Sequence, residues 1–112
     1  MEVKQVKRGE IYIADLTASE GCEQSGVRPV LVIQNDKGNT YAPTVIVAPI
    51  SSRMHKAKFP THVNLHCLQY PSFVELEQIR TIDKRRLGRR VGWIDGDTQE
   101  RVNQAIKVSL AI

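Results

Sequence analysis

Apolar residues along this chain fall into short runs separated by turn-rich stretches: residues 10–16, 28–35, 44–51, 61–66 and 73–82, with a brief further piece at 90–94. Runs of this length, bounded by Gly, Pro, Asn and Asp, predict strands. Val30-Leu31-Val32-Ile33 and Val45-Ile46-Val47-Ala48-Pro49-Ile50 are continuously apolar, so they are predicted to be central strands with both faces covered. Thr61-His62-Val63-Asn64-Leu65-His66 alternates strictly, which predicts one wet face. Only the C-terminal segment changes period. Val102, Ala105, Ile106, Ser109 and Leu110 recur at helical spacing behind Asp97, the predicted cap, with Glu100 placed to reach back to it. The pattern predicts a mainly β fold, a five- or six-stranded small barrel closed off by one helix.

At 112 residues the chain is long enough for one core, so residues 1–112 are expected to form a single domain. Sixteen Lys and Arg against twelve Asp and Glu leave a net charge of +4, concentrated in residues 53–58 and 84–90. Two such segments either contact a polyanion or are simply solvated, and the charge balance alone does not choose between these. No apolar run approaches the ~20 residues of a membrane span, and the N-terminus lacks a signal-like core, so a cytoplasmic protein is expected with no membrane partner. Cys22 and Cys67 have no metal or redox spacing and are expected to be thiols. His62 and His66, four residues apart on one strand, would lie roughly 13 Å from each other, too far to share an ion. No metal site and no cofactor are expected.

The candidate chemistry centres on Gly26-Val27-Arg28-Pro29-Val30. A polar, glycine-bearing loop ends here and an apolar strand begins, so Arg28 is held at a surface edge, with Pro29 pushing it toward an extended conformation. A planar guanidinium fixed there suits a phosphate; an ion pair with Glu20 or Glu23 is the competing assignment. Ser51 and Ser52 end the apolar run 45–50, where a hydroxyl can either bind phosphate or serve as ordinary turn chemistry. In Val74-Glu75-Leu76-Glu77-Gln78-Ile79-Arg80, strand alternation puts Glu75, Glu77 and Ile79 on one face.

Four blocks then carry a resemblance: Val6-Lys7-Arg8-Gly9-Glu10-Ile11-Tyr12, Glu23-Gln24-Ser25-Gly26-Val27-Arg28-Pro29-Val30-Leu31-Val32-Ile33, Pro60-Thr61-His62-Val63 and Glu77-Gln78-Ile79-Arg80-Thr81-Ile82-Asp83. Together they resemble the MazF/PemK family of bacterial toxins, over nearly the whole chain. The resemblance implies an SH3-like barrel of the MazF/PemK/CcdB kind, a homodimer, and a metal-independent endoribonuclease that cuts single-stranded RNA at short sequences to arrest growth. It also implies a MazE-type antitoxin that occupies the RNA groove. A CcdB-like gyrase poison and a non-catalytic RNA-binding module are the alternatives.

Cleavage without metal needs the ribose 2′-OH to attack the adjacent phosphate, with a base, an acid at the leaving 5′-oxygen, and donors for the phosphoryl charge. Arg28, always protonated and bidentate, fits charge stabilisation. Ser51 stands where the family usually has threonine and is expected to serve beside it. Glu77 is the candidate proton acceptor, although some relatives pair an aspartate there with a histidine at the position of Cys22, and this chain lacks that histidine. Expected substrate contacts are Gln24, Ser52, Arg53, His55, Lys56, Lys58, Gln78, Arg85 and Arg86.

Overall fold

A computed structural model of the chain describes residues 5–17, 25–52 and 59–112. Seven strands and two helices occur among them: β1 (Glu10–Asp15), β2 (Val27–Val32), α1 (Asp36–Tyr41), β3 (Thr44–Ser51), β4 (His62–Leu65), β5 (Ser72–Glu75), β6 (Arg80–Asp83), β7 (Leu87–Trp93) and α2 (Gly96–Leu110). All ladders are antiparallel. The strand order is β4-β5-β3-β2-β1-β7, with β6 joined to β3.

The mainly β class with a C-terminal helix is as expected, but the sheet stays open. A closed barrel would need the outer strands to pair, and among the described residues no ladder joins β7 to β4 or β6. The strand count is seven because the expected strand over 73–82 is two strands. β3 pairs Ile50 with Val74 of β5 but Val47 with Arg80 of β6, so six residues on one side match three on the other. The surplus is taken up by a 3-10 turn, Leu76–Gln78, anchored where the Leu76 amide donates to the Thr61 carbonyl at 2.8 Å. That turn breaks the alternation assumed for Glu75, Glu77 and Ile79.

Both faces of the central strands are covered, as their unbroken apolar runs predict. Tyr12, Ala14, Val30, Val32, Val45 and Val47 pack with Ile82 and Leu87 in one cluster. Ile11, Leu31, Ala48 and Ile50 pack in the other with β4, β5 and the inner face of α2, Val102 and Ala105. The helix starts earlier than expected: the Asp95 carboxylate, not Asp97, accepts from the Thr98 amide at 2.8 Å, while Glu100 pairs with Gln104. Leu110, predicted on the buried stripe, is exposed at the last turn.

Helix α1 has no forecast in the hydrophobic pattern because six residues are too few to show a period. Its signal is local: the Asn35 side chain caps it by accepting from the Gly38 amide at 2.8 Å. It presents Asn39, fully buried and bonded through Nδ2 to the Gln34 carbonyl, and the Asn39 carbonyl accepts from the buried Lys84 ammonium. Among the described residues no helix is long and apolar enough to cross a membrane.

The Tyr12 hydroxyl, inside the first cluster, donates within 3.0 Å of Glu10 Oε1. Burial, reinforced by that hydrogen bond and the neighbouring negative charge, pushes its pKa up from 10.0 to about 12. The fold therefore holds this proton more tightly than the unfolded chain does. Its contribution is complete below pH 10 and is lost as pH climbs through about 12. Urea titrations across that window should show wild type losing stability more steeply than Tyr12→Phe; parallel curves would contradict this.

Candidate functional site

Strand register places the candidate residues. The β2–β3 ladder pairs Val32 with Val47, Leu31 with Ala48 and Val30 with Pro49 and ends there, two residues short of Arg28 on β2 and of Ser51 on β3. On its other side Arg28 pairs with Ala14 of β1, and Ser51 pairs with Phe73 of β5. Arg28 and Ser51 thus both lie just past the end of the ladder that joins their strands. Both open, with Ser52, into a groove of about 720 Å³ whose walls come from β2, the end of β3, the loop 66–71 and β7.

Local chemistry holds Arg28 there. Gly26 has φ +79, a left-handed conformation that favours glycine, and its amide and carbonyl bond to Thr17 and Leu16, closing the base of the β1–β2 loop. A Cβ on Gly26 would meet nothing within 4 Å, so the demand is for the dihedral rather than for space. From this turn the Ser25 carbonyl accepts from Arg28 Nε at 3.2 Å. That bond orients the guanidinium plane, and among the described residues its terminal nitrogens donate to no protein atom. Arg28 is half-buried, less exposed than expected, and partial burial strengthens its attraction for an anion.

The other expected residues are distributed unevenly. Gln24, Arg53, His55, Lys56 and Lys58 lie outside the described residues, as does Cys22. Arg85 is spent on Asp83 through Nε and Nη2, both at 3.1 Å, which holds the Asp83 carboxyl below its usual range. Arg86 donates to the Asp15 carbonyl at 3.3 Å. Neither lines the groove; from the same basic run, Arg89 and Arg90 do. The division follows from the 3-10 turn Lys84–Arg86, after which β7 runs along β1 and carries the later arginines to the groove. Arg90 is partly neutralised by Glu10 at 2.7 Å and lies over the Trp93 ring, whereas Arg89 is exposed and has no partner among the described residues.

Glu77 stands apart from Arg28 and Ser51. It accepts from the Thr61 hydroxyl at 3.0 Å, bonds His62 Nε2 at 2.8 Å, and is absent from the groove lining. Gln78, half-buried in the same 3-10 turn, is absent too. The turn that interrupts the strand is the reason for both. No carboxylate or imidazole occurs among the groove's described lining residues. The histidine geometry also changes: His62 meets Glu75 and Glu77 rather than His66, with ligand-type atoms all within 4.8 Å of one another. A divalent ion could be held by that trio. The His62–Glu77 hydrogen bond and the stacking of His62 on Phe73, 4.7 Å between centroids, already give His62 and Glu77 protein partners.

Residues 7–110 match the family described as PemK-like, MazF-like toxins of type II toxin–antitoxin systems. The chain belongs to this family. Consistent with that, it is 50% identical over 111 residues to endoribonuclease EndoA of Bacillus subtilis (strain 168), covering 96% of each chain. Its backbone superposes on MazF from Deinococcus radiodurans with a TM-score of 0.85 at 24% identity, covering 97% of this chain and 99% of that one. It superposes somewhat less closely on a mycobacterial endoribonuclease in complex with its cognate antitoxin, with a TM-score of 0.81 at 23% identity and 96% coverage of both. At these identities the two structures establish the PemK/MazF fold. Of the groove residues of this chain that lie outside the motifs, Arg89 and Arg90 belong to the basic run 84–90, while Gln69 and Tyr70 lie in a loop with no hydrophobic period to mark them.

Proposed function

We propose that this protein is a sequence-specific endoribonuclease that cuts single-stranded RNA by 2′-OH attack, acting in the cytoplasm as a homodimer and restrained by a MazE-type antitoxin. The observation that carries the reading is the convergence of Arg28, Ser51 and Ser52 on one groove with a positively charged wall. The relationship to an endoribonuclease at 50% identity supports it.

In this reaction the 2′-oxygen bonds to phosphorus, the P–O5′ bond breaks, and the proton lost from the 2′-OH is balanced by one gained at the departing 5′-oxygen. The products are a 2′,3′-cyclic phosphate and a 5′-OH. Arg28 donates to the phosphoryl oxygens as their charge grows, and its loop-fixed plane means little reorganisation is needed at that moment. Ser51 adds a hydroxyl in the same groove. Glu77, turned toward His62, is not retained as the base. Exposed Trp93 and Val27 provide apolar surface for a twofold partner.

Purified protein incubated with a long single-stranded RNA in excess chelator should produce discrete cuts whose upstream fragments end in a 2′,3′-cyclic phosphate. Light scattering on the same sample should report a dimer at micromolar concentration. Cuts bearing only 5′-phosphate would reject 2′-OH attack, intact RNA with blocked supercoiling would favour a gyrase poison, and RNA bound but uncut would favour a binding module.

A further inference from the structure

The loop 66–71 forms one wall of the groove and is held at three points. Leu65 and Ser72 pair across its base. Leu68 packs against the second core cluster. A Cβ on Gly92 of β7 would come within 3.5 Å of Leu68 Cδ2 and 3.7 Å of the Cys67 carbonyl, so the loop rests directly on that strand. Pro71 restricts the preceding residue to extended conformations. That residue is Tyr70, which is 65% exposed and lines the groove shared with Arg28 and Arg89.

An aromatic ring held this open costs apolar exposure and contributes nothing to the core. In a groove that also holds the Arg28 guanidinium, a cation suited to phosphate, its π-face is available to what flanks a phosphate in RNA, an unstacked base. We propose that Tyr70 is a substrate-positioning residue whose ring stacks on a nucleobase next to the phosphate held by Arg28. This inference rests on the ribonuclease reading and assigns the groove a base-binding position that the motif residues do not supply. Stacking requires the ring and not the hydroxyl, so Tyr70→Phe should behave as wild type, while Tyr70→Ala should bind RNA roughly 5- to 150-fold more weakly, with the loss in KM rather than kcat.

The test uses a short RNA spanning a mapped cut, made uncleavable by a 2′-deoxy residue at the cut, and a series carrying one abasic site at each flanking position. At one flanking position the abasic site should weaken wild-type binding about as much as Tyr70→Ala does, and should cost Tyr70→Ala nothing further. Penalties that simply add at every position would overturn the proposal, as would Tyr70→Phe failing like Tyr70→Ala or Tyr70→Ala binding like wild type. Wild type cutting RNA while Tyr70→Ala is unaffected would remove the stacking role alone; wild type neither binding nor cutting RNA would remove the ribonuclease reading with it.

Discussion

Arg28→Ala is expected to lower the rate of RNA cleavage by roughly 10²–10³-fold, the scale for losing one preorganised donor to a developing oxyanion. RNA binding should change far less, because Arg89 and the rest of the groove remain. The split matters: an arginine that only attracted the polyanion would show its loss in KM, whereas one that meets charge appearing in the transition state shows it in kcat. Arg28→Lys keeps the charge and loses the fork, and the bond from Nε to the Ser25 carbonyl cannot be reproduced by an ammonium in the same geometry. A persistent large defect in Arg28→Lys would therefore assign the effect to geometry. Ser51→Thr, which retains the hydroxyl, should remain active, and Ser51→Ala should lose much of its rate. Arg28→Ala cleaving at the wild-type rate with unchanged circular dichroism would overturn the assignment.

Leu31→Ala is expected to cost about 2–5 kcal/mol of stability. Leu31 is fully buried in the second core cluster, three residues along β2 from Arg28, opposite Ile11 on one side and Ala48 on the other. Pairing to both neighbours pins the backbone, so the lost volume becomes a cavity rather than being closed by a local shift. Leu110→Ala, at an exposed position near the end of α2, should change stability by no more than about 0.5 kcal/mol. Urea denaturation of the three proteins checks both expectations, and a Leu31→Ala midpoint indistinguishable from that of Leu110→Ala would contradict the burial argument.

The strands were legible wherever burial imposes a period, and β3 occupies the residues expected of it because its run meets covered faces on both sides. Arg28 was legible for a different reason. Gly26 and Pro29 act on the backbone beside them, and such effects are local enough to read in order along the chain. The cap of α2 was misplaced by two residues because Asp95 and Asp97 both satisfy the cap preference, and in the fold it is Asp95, extended at its backbone, that takes the Thr98 amide.

What the sequence by itself determined is therefore the mainly β class, the family, and the two short motifs that supply an oriented arginine and a strand-end hydroxyl. Tertiary structure decided which charges meet. Glu77 reads as a strand residue in line with the site, yet the three-residue surplus between β5 and β6 folds into a turn that hands it to His62. Arg85, Arg86, Arg89 and Arg90 are equivalent in composition, and only the turn before β7 sends the first pair to Asp83 and Asp15 and the second pair to the groove. Tyr70 belongs to no period at all; its place on the groove wall comes from Leu68 resting against Gly92. Periodicity reports whether a side chain is covered, but which polar group it faces depends on ladder register and on surplus residues in turns, and these are settled only when distant strands pair.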